Sequence, residues 1–121
     1  MTATRLTGAD CVVKQGTSGI WTYRKWQSGI AECWGVYTAS IAVNISSPAY
    51  GGYRSNGNSV NLPSGLFKAN PVVNGTFNTS QGVWLTAMWA TTTTVSFYLS
   101  CGSSMAAANR PVCITVHGRW K

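Results

Sequence analysis

The segment Gln15-Gly16-Thr17-Ser18-Gly19-Ile20-Trp21-Thr22-Tyr23-Arg24-Lys25-Trp26-Gln27-Ser28-Gly29-Ile30-Ala31-Glu32-Cys33-Trp34-Gly35 decides how this chain folds. Ile20 to Trp26 is dense in aromatic and β-branched residues, which suit a pleated surface better than a helix. Gln27-Ser28-Gly29 interrupts it with turn chemistry, and Ile30 to Tyr37 resumes the same texture. Two such runs around a short turn read as a β-hairpin. Pairing across the turn sets Glu32 opposite Arg24 or Lys25, a cross-strand charge pair worth roughly 0.2–1 kcal/mol. The pair also guards the register, since a slip of one residue would turn every side chain to the other face.

The rest of the chain repeats this texture. No stripe with 3.6-residue spacing persists, whereas period-two alternation recurs between turn residues. Ala39 to Ile45 alternates with Ile41, Val43 and Ile45 on one face, and Ser46-Ser47-Pro48 stops it. Tyr50 to Asn58 sets two tyrosines in a glycine- and asparagine-rich frame, read as an exposed loop or polar edge hairpin. Val72 to Phe77 is a strand, followed by a turn over Asn78 to Gly82. Val83 to Ala90 sets Val83, Leu85, Ala87 and Trp89 against Trp84, Thr86 and Met88. Thr94 to Cys101 and Val112 to Trp120 are the last two strands, joined by a loop with a short helical turn expected at Met105 to Ala108. The prediction is an all-β chain: a single antiparallel β-sandwich of about seven to eight strands over residues 10–121, with residues 1–9 an extension or the remnant of a shaft.

Composition agrees. Of 121 residues, 45% are hydrophobic but only 9% charged, against ~25% in typical soluble domains. Amides, hydroxyls and glycines fill the gap and leave little to coat a helix's wet face. The formal charge is +7, yet Arg5, Lys14, Arg54, Lys68 and Arg110 are scattered singly. No basic stripe or nucleic-acid motif accompanies them, so nucleic acid is not expected as a partner. A diffuse positive charge does favour an anionic cell surface. No stretch approaches the ~20 apolar residues of a membrane helix, and the first nineteen residues lack a secretory pattern. The chain reads as soluble and made in the cytoplasm unless excised from a larger precursor, and the three Asn-x-Ser/Thr tripeptides at Asn44, Asn74 and Asn78 are discounted as glycosylation sites.

Catalytic chemistry needs titratable groups in company, and this sequence holds one Asp, one Glu and one His. Asp10 and Glu32 are the only candidates for a carboxylate pair, and Glu32 has a cation across its hairpin. His117 is the sole base a Ser or Cys nucleophile could use. Gly51-Gly52 lacks the lysine and the strand-to-helix setting of a phosphate loop. Cys11, Cys33, Cys101 and Cys113 have no C-x-x-C spacing, so no metal is expected; they read as buried small apolar residues, one or two disulfides being the alternative if the protein matures outside the cell. No cofactor and no enzymatic activity are expected.

Aromatic surface is what the chain has in excess, with six Trp and five Tyr. Such side chains anchor interfaces and stack on sugar rings. Around Trp21 and Tyr23, and around Trp84 and Met88, both faces of a strand carry bulky apolar groups, which marks Trp21, Tyr23, Trp84 and Met88 as candidates for a subunit interface. Tyr50, Tyr53, Arg54 and Asn56 are candidates for a binding loop, combining stacking rings with directional donors.

Residues 15–35, with their Trp-x-x-Arg-Lys-Trp-x-x-Gly core, resemble a segment that opens the C-terminal domain of phage and prophage tail-fibre or minor structural proteins. Leu62-Pro63 with Phe67, Val72-Val73, Val95-Ser96-Phe97-Tyr98 and Val116-x-Gly118-Arg119-Trp120 extend the resemblance over residues 10–121. It implies a homotrimeric β-sandwich at a fibre tip, located in the virion, with other virion proteins and a host-surface glycan or protein as partners. It implies neither shared catalytic residues nor membrane insertion. The alternatives are a baseplate or decoration domain that binds no receptor, and a free-standing lectin-like module.

Overall fold

Runs that alternate every second residue and carry few charges offer a helix no wet face, and they are all extended in the computed structural model, which describes residues 10–78 and 82–121. Ten strands result among the described residues, against the seven to eight expected: β1 (Val12–Ser18), β2 (Trp21–Trp26), β3 (Ile30–Val43), β4 (Ile45–Ser47), β5 (Gly52–Arg54), β6 (Asn58–Asn61), β7 (Val72–Phe77), β8 (Trp84–Ala90), β9 (Thr94–Cys101) and β10 (Met105–Arg119). They form two antiparallel five-stranded sheets, the all-β sandwich expected. The expected extension over residues 1–9 lies outside the described residues, as does most of the turn after Asn78.

The first sheet runs β1-β2-β3-β10-β7. Its spine is the pairing of β3 with β10, in register from Ile30↔Arg119 to Val43↔Met105. The hairpin read from the sequence is present, with Arg24 opposite Glu32. The charge pair is not made as expected: Arg24 lies 5.1 Å over the Trp34 ring, and the Glu32 carboxylate accepts Trp26 Nε1–H at 3.0 Å.

In the second sheet β9 is central. β6 and β8 both pair with Phe97, so they flank β9 on opposite sides, and β5 shares the β6 side nearer the strand's end. β5 and β6 are thus two halves of one interrupted strand rather than the two arms of a hairpin. Ser55, fully buried, bridges the interruption: its N–H donates to Leu99 O at 2.9 Å and its Oγ accepts Leu99 N–H at 3.0 Å. A side chain stands in for the missing ladder carbonyl, so the backbone donor is satisfied.

Between the sheets lie Val95, Phe97 and Leu99 of β9 against Val112, Ile114 and Val116 of β10, joined by Ala31, Cys33, Ile41 and Val43 of β3. Each large aliphatic so buried contributes ~1.5–3 kcal/mol. The loop after β6 adds Leu62, Leu66 and Phe67. Gly75 of β7 keeps the sheets close, since a Cβ there would stand 2.6 Å from Met88 Cε of β8.

The expected helical turn at Met105 to Ala108 is instead the start of β10, because these residues pair with the end of β3. Tertiary pairing outweighs the helix propensity of the alanine run. A bulge between Met105 and Ala108 is held by Arg110, 1% exposed, whose Nε donates to Ile41 O at 2.7 Å and Nη2 to Ala106 O at 2.8 Å. A cation that stands alone in the sequence is part of the interior.

Candidate functional site

The outer face of the second sheet carries a continuous set of rings around one guanidinium. Tyr98 of β9 stands at its centre. The Tyr50 ring meets it edge-on with centroids 5.5 Å apart, and the Trp89 ring lies tilted at 5.7 Å. Arg54 Cζ sits 5.1 Å from the Tyr98 centroid and 5.8 Å from that of Tyr50, within cation–π range of both. Its Nη1 donates to Ser55 O at 2.9 Å, which fixes the guanidinium plane. Trp84 and Trp89 flank the set, 43% and 44% exposed.

Local sequence explains each position. Pro48 opens a single 3-10 turn that delivers Tyr50 to the sheet surface. Gly51 closes it at φ 91°, a left-handed conformation that costs glycine nothing. The absent side chain also seats Trp84, because a Cβ on Gly51 would lie 2.9 Å from its Cζ2. Arg54 reaches the face because it pairs with Ser100, and Trp84 pairs with Ser100 from the other side.

Trp89 shares this face through a bulge. Leu85 pairs with Leu99 and Ala87 with Tyr98, so β8 holds one residue more than β9 around Thr86. An extra residue inverts the facing of everything after it. Met88 is thereby turned inward against the core and Trp89 outward, the reverse of the strict alternation expected. The Thr86 hydroxyl is hydrogen-bonded to that of buried Ser100.

Of the four expected binding residues, Tyr50 and Arg54 come together on this face. Tyr53 does not join them: it pairs with Cys101 and packs against the core. Asn56 is exposed at the β5–β6 interruption, where its carbonyl accepts Ser55 Oγ–H and Asn58 Nδ2–H, both at 2.8 Å. Tyr98, Trp84 and Trp89 complete the site. A count of rings at paired positions of β8 and β9 would have raised Tyr98, but the bulge that gathers the tryptophans has no signal in composition.

The four expected interface residues do not form one surface. Trp21 is 2% exposed, with Nε1 donating to Asn61 O at 2.6 Å, so it has no area to give a partner. Tyr23 and Met88 pack against the core. Only Trp84 is exposed, and it belongs to the ring face. The bulky outward residues of the first sheet are others, among them Ile30, Val36 and Val72, the last 66% exposed.

Asp10, Glu32 and His117 lie away from the ring face. His117 pairs with Glu32 on the outer side of the first sheet, Nδ1 3.8 Å from the carboxylate. Asp10 holds the turn between β2 and β3, accepting the Ser28 hydroxyl and, at 3.0 Å each, the N–H groups of Ser28 and Cys11. The Ser28 hydroxyl first, then these backbone donors and the Lys121 charge, hold its carboxyl below the usual range. All four cysteines are free; Cys33 and Cys101 are buried, Cys11 and Cys113 half-buried. Burial pushes the Cys33 thiol up to about 12, so at neutral pH it is no nucleophile. Among the described residues no three His, Cys, Asp or Glu side chains group to hold a metal.

The ring face therefore offers stacking surface, a fixed cation and hydroxyls such as Ser59 and Ser96, themselves bonded at 2.9 Å, with neither of the chain's acidic side chains nearby. That combination suits a neutral or anionic saccharide. No protein-family model, curated protein or solved structure matched the chain.

Proposed function

We propose that this chain is the distal domain of a phage tail fibre, that it adsorbs to a host-surface saccharide through the outer face of the second sheet, and that it trimerises through the outer face of the first. The observation that carries the reading is the joining of Tyr50, Arg54, Tyr98, Trp84 and Trp89 on one surface. Monomers seldom leave two half-exposed tryptophans beside a half-buried guanidinium without a ligand to cover them. Sugar rings present C–H faces that stack on indole and phenol, and their hydroxyls accept from guanidinium. The scarcity of titratable groups favours binding over catalysis. The trimer is what the resemblance of residues 15–35 implies, and the exposed Ile30, Val36 and Val72 give it an apolar contact.

The test is the absolute mass of the protein in solution together with adsorption of fluorescent protein to host cells before and after the surface polysaccharide is stripped. A mass of three chains and adsorption lost on stripping support the proposal. A trimer that ignores cells would make the chain a structural virion domain. A monomer that still binds saccharide would make it a free-standing module.

A further inference from the structure

We propose a second binding site, for a carboxylate- or sulfate-bearing sugar residue, in the groove between the β1–β2 pair and the loop at Pro63 to Leu66. It lies apart from the ring face and does not depend on the function proposed above.

The groove has a volume of about 280 Å³. That is near the lower end of small-ligand pockets, the size for one compact unit. Lys14 and Lys25 are opposite one another in the β1–β2 register and both line it. Like charges directly opposite destabilise a sheet. The chain has only two acidic side chains to offset them, and neither Asp10 nor Glu32 lines the groove. Residues 1–9 contribute no acid in sequence either. An oxyanion between the two ammonium groups would make charge-assisted hydrogen bonds to both and relieve the repulsion.

The remaining lining is chosen for a sugar rather than a bare ion. Ser18, Ser64 and Tyr23 carry hydroxyls among the lining residues. Tyr23 leans across β1 where Gly16 has no side chain, since a Cβ there would be 3.0 Å from the phenolic oxygen. Buried Pro63 and Leu66 form an apolar wall. Lys25 is further steadied by the Trp120 ring, 5.3 Å from its Nζ.

The experiment titrates the ¹⁵N-labelled chain with methyl glucuronide and, separately, with methyl glucoside, which differ at one carboxylate. Saturable shifts at residues 14, 17, 18, 25 and 64 with the glucuronide alone, weakened by added salt, are expected. K14Q/K25Q should weaken binding about ten-fold or more while melting no lower than the parent. K14Q alone, at an exposed edge position, serves if the double variant fails to fold. The proposal is overturned if the glucuronide leaves these amides unmoved, if the glucoside moves them equally, or if the lysine variants bind within two-fold of the parent. Displacement by an equal concentration of inorganic phosphate would also overturn it, since the groove would then read a bare oxyanion.

Discussion

Replacing Trp89 by Ala separates the two things its ring does. The side chain is 44% exposed, so of ~250 Å² for a full tryptophan about 140 Å² is covered within the domain. At ~25 cal/mol per Å² this is worth ~3.5 kcal/mol, reduced to about 2–3 because a denatured chain already buries part of it. The variant should melt about 10 °C lower. A sugar laid on the free side would cover roughly half of the ~110 Å² that remains. That area is worth about 1.4 kcal/mol, a ten-fold loss of affinity. Binding to immobilised host polysaccharide is measured where near-ultraviolet circular dichroism shows both proteins folded. Trp89→Phe should recover part of both effects. If Trp89→Ala binds within two-fold of the parent while melting lower, the ring serves packing alone and the saccharide reading of this face fails.

Three further outcomes test the fold. Gly35→Ala would put a Cβ 2.3 Å from the carbonyl oxygen of Ile20, an atom of backbone that cannot swing aside; a loss of about 3 kcal/mol in urea unfolding is expected, and an unchanged midpoint would show that β3 and the turn that leads into β2 are not so closely apposed. Arg110→Met strips donors from Ile41 O and Ala106 O at ~1–3 kcal/mol each, partly offset by removing a buried charge; a net loss of about 2 kcal/mol is expected, and a variant as stable as the parent would mean that desolvation cancels the bonds. Asp10 has its pKa depressed in the fold, so its contribution is present above the unfolded value near 3.8 and disappears as pH falls through the lower folded value. The difference in melting temperature between the parent and Asp10→Ala should therefore close below about pH 4, and a difference that stays constant with pH would remove Asp10 from the account.

Class and most strand positions were legible because they rest on local chemistry. The Gln27-Ser28-Gly29 turn, the alternation of Val95, Phe97 and Leu99, and that of Val112, Ile114 and Val116 each act within a few residues. What was not legible depends on partners distant in sequence. Met105 to Ala108 has helical composition, and only β3, more than sixty residues earlier, makes it a strand. Arg110 is one isolated cation among several in the sequence, and only the fold shows the carbonyls that hold it. Ser55 reads as a loop residue, yet its N–H and its hydroxyl make the two bonds to Leu99 that carry the ladder across the β5–β6 interruption.

The candidate site was half legible for the same reason. Tyr50 and Arg54 are close in sequence, and their glycine-rich setting marks them. Trp84 and Trp89 are five apart, an odd separation that puts them on opposite faces of any regular strand. One added residue at Thr86 brings both to the same surface, and moves Met88 into the core in exchange. A regular β8 would have buried one indole or exposed one methionine, leaving Tyr98 and Arg54 with a single flanking ring. The bulge costs a break in the ladder, partly recovered by the Thr86–Ser100 hydroxyl bond. Its effect is to put both indoles on the face that carries Tyr98 and Arg54. The irregularity that defeats pattern reading is thus the feature that builds the surface, and departures of this kind concentrate at functional sites.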